Sequence, residues 1–179
     1  MIYHRTEAHF RMLQSNVIFQ RISKDISLQI IQYLRGEEKE AYKSVLAGLA
    51  QSRNLRPIFI QKKPIDKQIS WIIDTLKLKT SNEIADQVFQ VWLLKAKKDM
   101  LTGFLDQLGI EHDGEGSVEG DLPEKLDKKK LKKAVDEMLE THSEEEVKIY
   151  LHLFQSQRSG GWNELNELID SDERLSFNC

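Results

Sequence analysis

The chain has 179 residues, 40% of them apolar and 31% charged, which is typical of a folded globular domain and excludes a disordered or fibrous chain. Its one cysteine, Cys179, excludes an internal disulfide framework, and no apolar run is long enough for a signal peptide or a membrane span. The net charge of −3 conceals a division, because residues 1–100 carry 17 Lys and Arg against 10 Asp and Glu, whereas residues 101–179 carry 9 against 19. We therefore expect a cytoplasmic domain, without membrane association, whose halves offer different surfaces to partners.

Apolar residues recur at spacings of three and four along most of the chain, which is the pattern of amphipathic helices. The pattern predicts an all-α fold of about nine helices packed as helical hairpins, with no significant sheet. The architecture expected is an irregular helical bundle or a short α-solenoid-like array. The predicted helices cover residues 6–21, 24–35, 38–52, 65–78, 82–94, 98–109, 123–141, 144–157 and 162–169.

Three of the helix starts show capping-box spacing, in which one side chain accepts a backbone N–H and an acid three residues later reaches back. The pairs are Thr80 with Glu83, Asp121 with Glu124, and Ser143 with Glu146. Each pair predicts a helix that begins within two residues of its first member.

Two segments of the basic half are ambiguous. Leu55 to Ile60 combines Pro57 with β-branched and aromatic residues, but no second strand-like run exists to pair with it. We interpret this segment as a linker whose apolar side is buried. Residues 82–108 form either one long helix or two, because only residues 95–98 are available for a turn.

The conspicuous non-helical stretch is an acidic, glycine-rich loop over residues 110–121. Oxygen-bearing side chains recur at alternate positions, as they do in a calcium-binding loop. The candidate cation ligands are Asp113, Glu115, Glu119, Asp121 and Glu124. However, Val118 occupies the position at which such a loop needs glycine for its sharp turn. We therefore favour a mobile, solvated connector, and we predict no metal and no cofactor.

A cluster of cations surrounds the apolar residues Ile58, Phe59 and Ile60, and it is the candidate interaction patch. Its members are Arg53, Arg56, Lys62, Lys63 and Lys67. Such a surface can meet an acidic protein or the phosphates of a nucleic acid. Trp162, which follows two glycines, is a further candidate anchor, although its context also suits a core residue.

The familiar catalytic patterns do not occur in the sequence. The five histidines show neither the i, i+4 pairing of a helical metal site nor Glu-x-x-His spacing, and there is no Gly-x-Ser-x-Gly elbow. We therefore predict that the protein is not an enzyme.

The sequence predicts one helical domain over residues 1–179. It can alternatively be divided into a basic part, 1–109, and an acidic part, 122–179, joined by the loop. The predicted function is a non-catalytic protein-interaction or adaptor module that binds a protein partner or self-associates. The alternatives are an electrostatic nucleic-acid-binding protein that uses the basic half, and an enzyme whose site is built from dispersed carboxylates.

Overall fold

A computed structural model describes residues 12–177 of the chain. Within this range the fold is all-α, as predicted, with ten α-helices and no strand. The helices are α1 (Ser15–Arg21), α2 (Lys24–Glu37), α3 (Lys39–Ser52), α4 (Pro57–Gln61), α5 (Ile65–Leu76), α6 (Asn82–Ala96), α7 (Lys98–Leu108), α8 (Lys128–Thr141), α9 (Glu144–Ser156) and α10 (Asn163–Ser171). The beginning of the helix predicted at 6–21, and Cys179, lie outside the described residues.

Several helices that follow one another in sequence pack side by side, α1 packs mainly against α6, and one hydrophobic core joins them all. The pairs α2–α3, α6–α7 and α8–α9 are in contact, and α7 packs extensively against α8, across the acidic loop. The buried core is continuous from Ile18 on α1 to Leu175 after α10. No helix within residues 12–177 has both the length and the apolar composition needed to cross a bilayer.

Aromatic rings form the centre of this core at two places. Phe19 of α1 stacks on Phe89 of α6, with the ring centroids 4.3 Å apart. In the acidic half, Phe104 of α7 meets Phe154 of α9 edge to face at 5.1 Å. Such ring pairs add to the stabilisation that burial of their area provides.

Residues 82–108, for which the sequence allowed either one long helix or two, form two helices. Lys97 separates α6 from α7 with φ −122° and ψ 25°, and its N–H still donates to the carbonyl of Leu93 at 3.0 Å. Neither glycine nor proline causes this break. The side chain of Lys97 instead pairs with Glu146 on α9, at 2.6 Å, so a tertiary contact marks the position of the turn.

One of the three predicted capping boxes is confirmed. The Ser143 hydroxyl accepts the N–H of Glu146 at 3.2 Å, and the Glu146 carboxylate accepts the N–H of Ser143 at 3.0 Å. The prediction at Thr80 was wrong, because Thr80 lies inside a 3-10 turn and α6 begins two residues later, at Asn82.

The helix predicted over 123–141 begins only at Lys128, so the predicted capping box at Asp121 was also wrong. Asp127 caps α8 instead, and its carboxylate accepts the N–H of Lys130 at 2.9 Å. Tertiary contacts hold the preceding segment out of the helix: the Leu126 side chain is buried, and the carbonyl of Pro123 accepts a hydrogen bond from the Trp162 indole at 2.8 Å.

Candidate interaction surface

The chain turns a tight corner between α3 and α5, and the short helix α4 occupies it. Asn54 adopts a left-handed conformation with φ 55°, and the N–H of Leu55 donates back to the carbonyl of Ala50 at 2.9 Å. This is the Schellman arrangement that ends many helices. Pro57 then begins α4, where its missing N–H costs little because the first helical N–H groups have no partner in the helix.

A buried glutamine fastens this corner to the rest of the fold. The Gln68 side-chain amide on α5 donates to the carbonyls of Ile60, at 3.3 Å, and Gln61, at 3.4 Å. Its oxygen accepts a hydrogen bond from the Tyr42 hydroxyl on α3. Because Gln68 joins α5 to both α3 and α4, α4 is held as a defined element rather than as a loose loop.

The apolar side chains of this corner point mostly to solvent. Leu55, Ile58, Phe59 and Ile65 are 40%, 45%, 60% and 49% exposed, respectively, whereas Ile60 is buried. These four are the majority of the six large apolar side chains that are exposed within residues 12–177. The prediction of a linker with its apolar side buried was therefore wrong, since a five-residue helix turns only Ile60 inward.

The predicted cations lie in the same segment, residues 53–67, as these exposed apolar side chains. Arg53, Arg56, Lys62, Lys63 and Lys67 are all exposed. None of the five forms an ion pair with any residue in the described range 12–177. Together with Asp66, residues 53–67 carry a net charge of +4. We call these five cations and the four exposed apolar residues the basic–apolar surface.

A groove of about 610 Å³ between α2 and α5 adjoins this surface and shares Lys67 with it. Leu28 and Ile73 contribute apolar area, and Lys24 and Lys77 contribute further cations. Periodicity in the sequence did identify α2 and α5 as amphipathic helices, but it contained no signal that the two would leave a groove between them.

Trp162 is not part of any surface. Its side chain is completely buried and stacks on Phe154 with the ring centroids 4.7 Å apart. The side-chain amide of Gln155 forms two hydrogen bonds with the Trp162 backbone. Its oxygen accepts the Trp162 N–H at 3.0 Å, and its nitrogen donates to the Trp162 carbonyl at 2.9 Å. The interaction-anchor interpretation of Trp162 was therefore wrong, because the indole fills the core next to α9.

The acidic loop folds back on itself rather than forming an open connector. His112 and Val118 form an isolated antiparallel bridge, and the Asp113 carboxylate accepts the N–H groups of Glu115, at 2.8 Å, and Ser117, at 3.0 Å. Gly116, with φ 104°, packs so closely against α7 that a Cβ there would contact the Leu101 side chain. Positive φ at glycine is what makes this tight turn accessible.

The candidate cation ligands do not converge. Nowhere in residues 12–177 do three or more His, Cys, Asp or Glu side chains lie in an arrangement that could hold a metal ion. The carboxylates have other partners: Asp113 caps its own turn, and Glu115 pairs with Lys98 at 2.8 Å. The remaining candidates, Glu119, Asp121 and Glu124, are exposed.

Hydrogen bonds account for the lowered pKa values of two carboxyl groups in the acidic half. Backbone N–H groups lower the pKa of the Asp113 carboxyl, and a hydrogen bond from the Arg174 guanidinium lowers the pKa of Asp172. Both ring nitrogens of His112 have partners: its Nδ1 accepts the N–H of Gly114 at 3.1 Å, and its Nε2 lies 2.7 Å from the Asp106 carboxylate.

No protein-family model matches the chain, and neither a curated protein nor a solved structure shows significant similarity to it. The basic–apolar surface and its adjoining groove are therefore the features from which a function can be argued.

Proposed function

We propose that this protein is a non-catalytic interaction module that binds an acidic segment of a protein partner through the basic–apolar surface. The observation that carries the proposal is the mixture on that surface, where five cations without an ion pair in residues 12–177 share one corner of the fold with four exposed apolar side chains. Contiguous exposed apolar area rimmed by charge is typical of interaction sites on soluble domains. The lone cysteine of the sequence supports a cytoplasmic location for this activity.

The apolar component favours a protein partner over a nucleic acid. Phosphate contacts need cations but no exposed Leu or Ile, and three of the four apolar side chains, Leu55, Ile58 and Ile65, lack the aromatic face on which bases stack. The whole chain has a pI near 6.0, whereas nucleic-acid-binding domains are commonly strongly basic. An acidic protein segment that also carries apolar residues would use both components of the surface.

Selection from a displayed library of random peptides, of about 16 residues each, tests the proposal without a known partner. We expect the enriched peptides to combine Asp and Glu with large apolar residues. The double variant Arg56→Glu with Lys62→Glu should lower their affinity at least about tenfold, because it reverses two charges at the site. Phe59→Ser should lower it as well, through lost apolar contact.

A second double variant is the matched control. Lys39→Glu with Lys95→Glu changes the net charge equally, but these exposed lysines lie at the opposite end of α3 and on α6. Its peptide affinity should match that of the wild-type protein. Equal loss in both double variants would refute a defined site, since it would show a response to net charge alone.

Three further probes complete the test. Tighter binding of random-sequence DNA or RNA oligonucleotides than of the selected peptides, with a steep dependence on salt, would replace the proposal with the nucleic-acid alternative. Tighter binding to vesicles of anionic phospholipid would also overturn it. Sedimentation at low and high ionic strength identifies a second copy of the chain as the partner if a salt-sensitive dimer forms through the same residues.

A further inference from the structure

The groove between α2 and α5 is long enough to hold a segment of secondary structure. Its lining runs along α5 from Asp66 to Lys77, the residue directly after the helix, and along α2 from Lys24 to Gln32. At 1.5 Å per residue, the α5 wall is about 16 Å long, which corresponds to about three turns of a docked helix. Because Lys67 belongs to both features, a segment in the groove would continue onto the basic–apolar surface.

The chemistry of the groove suits an amphipathic occupant. Ile22, Leu28, Ile69 and Ile73 line it with apolar atoms, while serines and charged side chains form its other parts. Apolar contacts from one face of a helix would meet these residues, and the opposite face would stay in solvent.

The fold also favours a helical occupant over an extended one. An extended peptide must find partners for its backbone N–H and C=O groups, which in docking sites are usually supplied by the edge of a sheet. Residues 12–177 contain no strand that could provide such an edge. A helix satisfies its own backbone hydrogen bonds and can therefore enter an apolar groove between two helices at no such cost.

Charge complementarity identifies the occupant as acidic. The cations are the five of the basic–apolar surface together with Lys24 and Lys77 of the groove, and the acids are Asp66 and Asp74. The combined net charge is +5. One of the groove cations, Lys77, lies 4.0 Å from Asp74, so the excess positive charge lies mainly at the end formed by residues 53–67.

We infer that the α2–α5 groove binds about three turns of an acidic amphipathic α-helix from a partner protein, and that the acidic end of this helix continues over the basic–apolar surface. This inference rests on the proposed function and adds the secondary structure of the partner and its place on the fold. The cations of the basic–apolar surface then pair with the acidic end of the helix, Ile58 and Phe59 contact apolar residues there, and the groove holds the rest of its apolar face.

A groove-filling substitution in the protein tests the location of the helix, and a proline in the peptide tests its helical conformation. Both experiments measure binding of the most enriched library peptide, labelled with a fluorophore. Ser70→Trp fills the groove from an exposed position on α5, whereas Gln29→Trp places the same side chain on an exposed part of α2 outside the groove. We expect Ser70→Trp to weaken peptide binding at least about tenfold and Gln29→Trp to leave it unchanged. A proline at the centre of the peptide should weaken binding as much, because it breaks a helix.

The possible failures are distinguishable. If Arg56→Glu with Lys62→Glu abolishes binding while Ser70→Trp and the central proline have no effect, the helix in the groove is refuted and the proposed function stands. If the charge reversal itself leaves peptide affinity unchanged, the proposed function fails, and this inference fails with it. Circular dichroism of each variant shows that a loss of binding does not reflect unfolding.

Discussion

The ion pair between Lys97 and Glu146 joins the break between α6 and α7 to the first turn of α9. The Lys97 ammonium lies 2.6 Å from the carboxylate, and the two side chains are 23% and 11% exposed. Glu146 also completes the capping box of α9 with Ser143. We choose Lys97→Met and Glu146→Gln as perturbations, because Gln can still accept the capping hydrogen bond and so isolates the loss of charge.

The size of the effect follows from this partial burial. A fully exposed pair contributes about 0–1 kcal/mol, whereas removing one partner of a buried pair costs about 3–5 kcal/mol. The intermediate exposure predicts a cost of about 2–3 kcal/mol for Lys97→Met, which leaves the carboxylate buried. Glu146→Gln should cost less, about 1–2 kcal/mol, because the freed lysine can reach water.

The pH dependence of stability has a defined sign. Burial raises the pKa of the Glu146 carboxyl, but the hydrogen bond from Lys97, the Ser143 N–H and the neighbouring charges together lower it below its usual value of 4.5. Ionised Glu146 therefore stabilises the fold above pH 4.5, and this contribution is lost as the pH falls through the lowered folded pKa. Glu146→Gln should remove that part of the acid-induced loss.

Urea unfolding of both single variants and the double variant, followed by circular dichroism, measures the free energy of unfolding and the coupling between the residues. Lys43→Met is the matched control, because Lys43 and Glu40 form an exposed pair at a similar separation of 3.0 Å. If Lys97→Met destabilises the protein no more than Lys43→Met does, the partial burial of the Glu146 pair has no energetic consequence and the reasoning is refuted.

Three further predictions concern the acidic half. Burial and two nearby cations lower the pKa of His152 below 6.5. Stability should therefore fall as the pH falls from 6.5 through the folded pKa, and a pH series of unfolding should show a flatter slope for His152→Gln. Trp162→Ala should cost about 3–5 kcal/mol in urea unfolding because the indole is fully buried; a cost below about 1 kcal/mol would contradict this. Gly161→Ala should lower the melting temperature more than Gly160→Ala. Both glycines have positive φ, but only a Cβ at Gly161 would collide with Gln155, and equal effects would argue against that contact.

Local sequence signals determined the helical elements and part of the candidate site. Apolar spacing identified most of the helices, and the Ser143 capping box was correct because both of its partners lie within one turn. The five cations of the basic–apolar surface were also identified, because a charged side chain remains in solvent almost regardless of the fold. These properties depend on residues close together in the chain.

Only the tertiary structure decided which apolar residues are buried. Trp162 and Phe59 are both aromatic residues close to a proline or glycine in the sequence, but their burial differs. Trp162 is fully buried because Phe154, Gln155 and Pro123 surround it. Phe59 is exposed because α4 is too short to turn it inward. The groove between α2 and α5 and the break at Lys97 have the same origin, since each depends on helices distant in sequence. Periodicity states that a helix has an apolar face, but the neighbours that cover that face are set by packing across the whole chain.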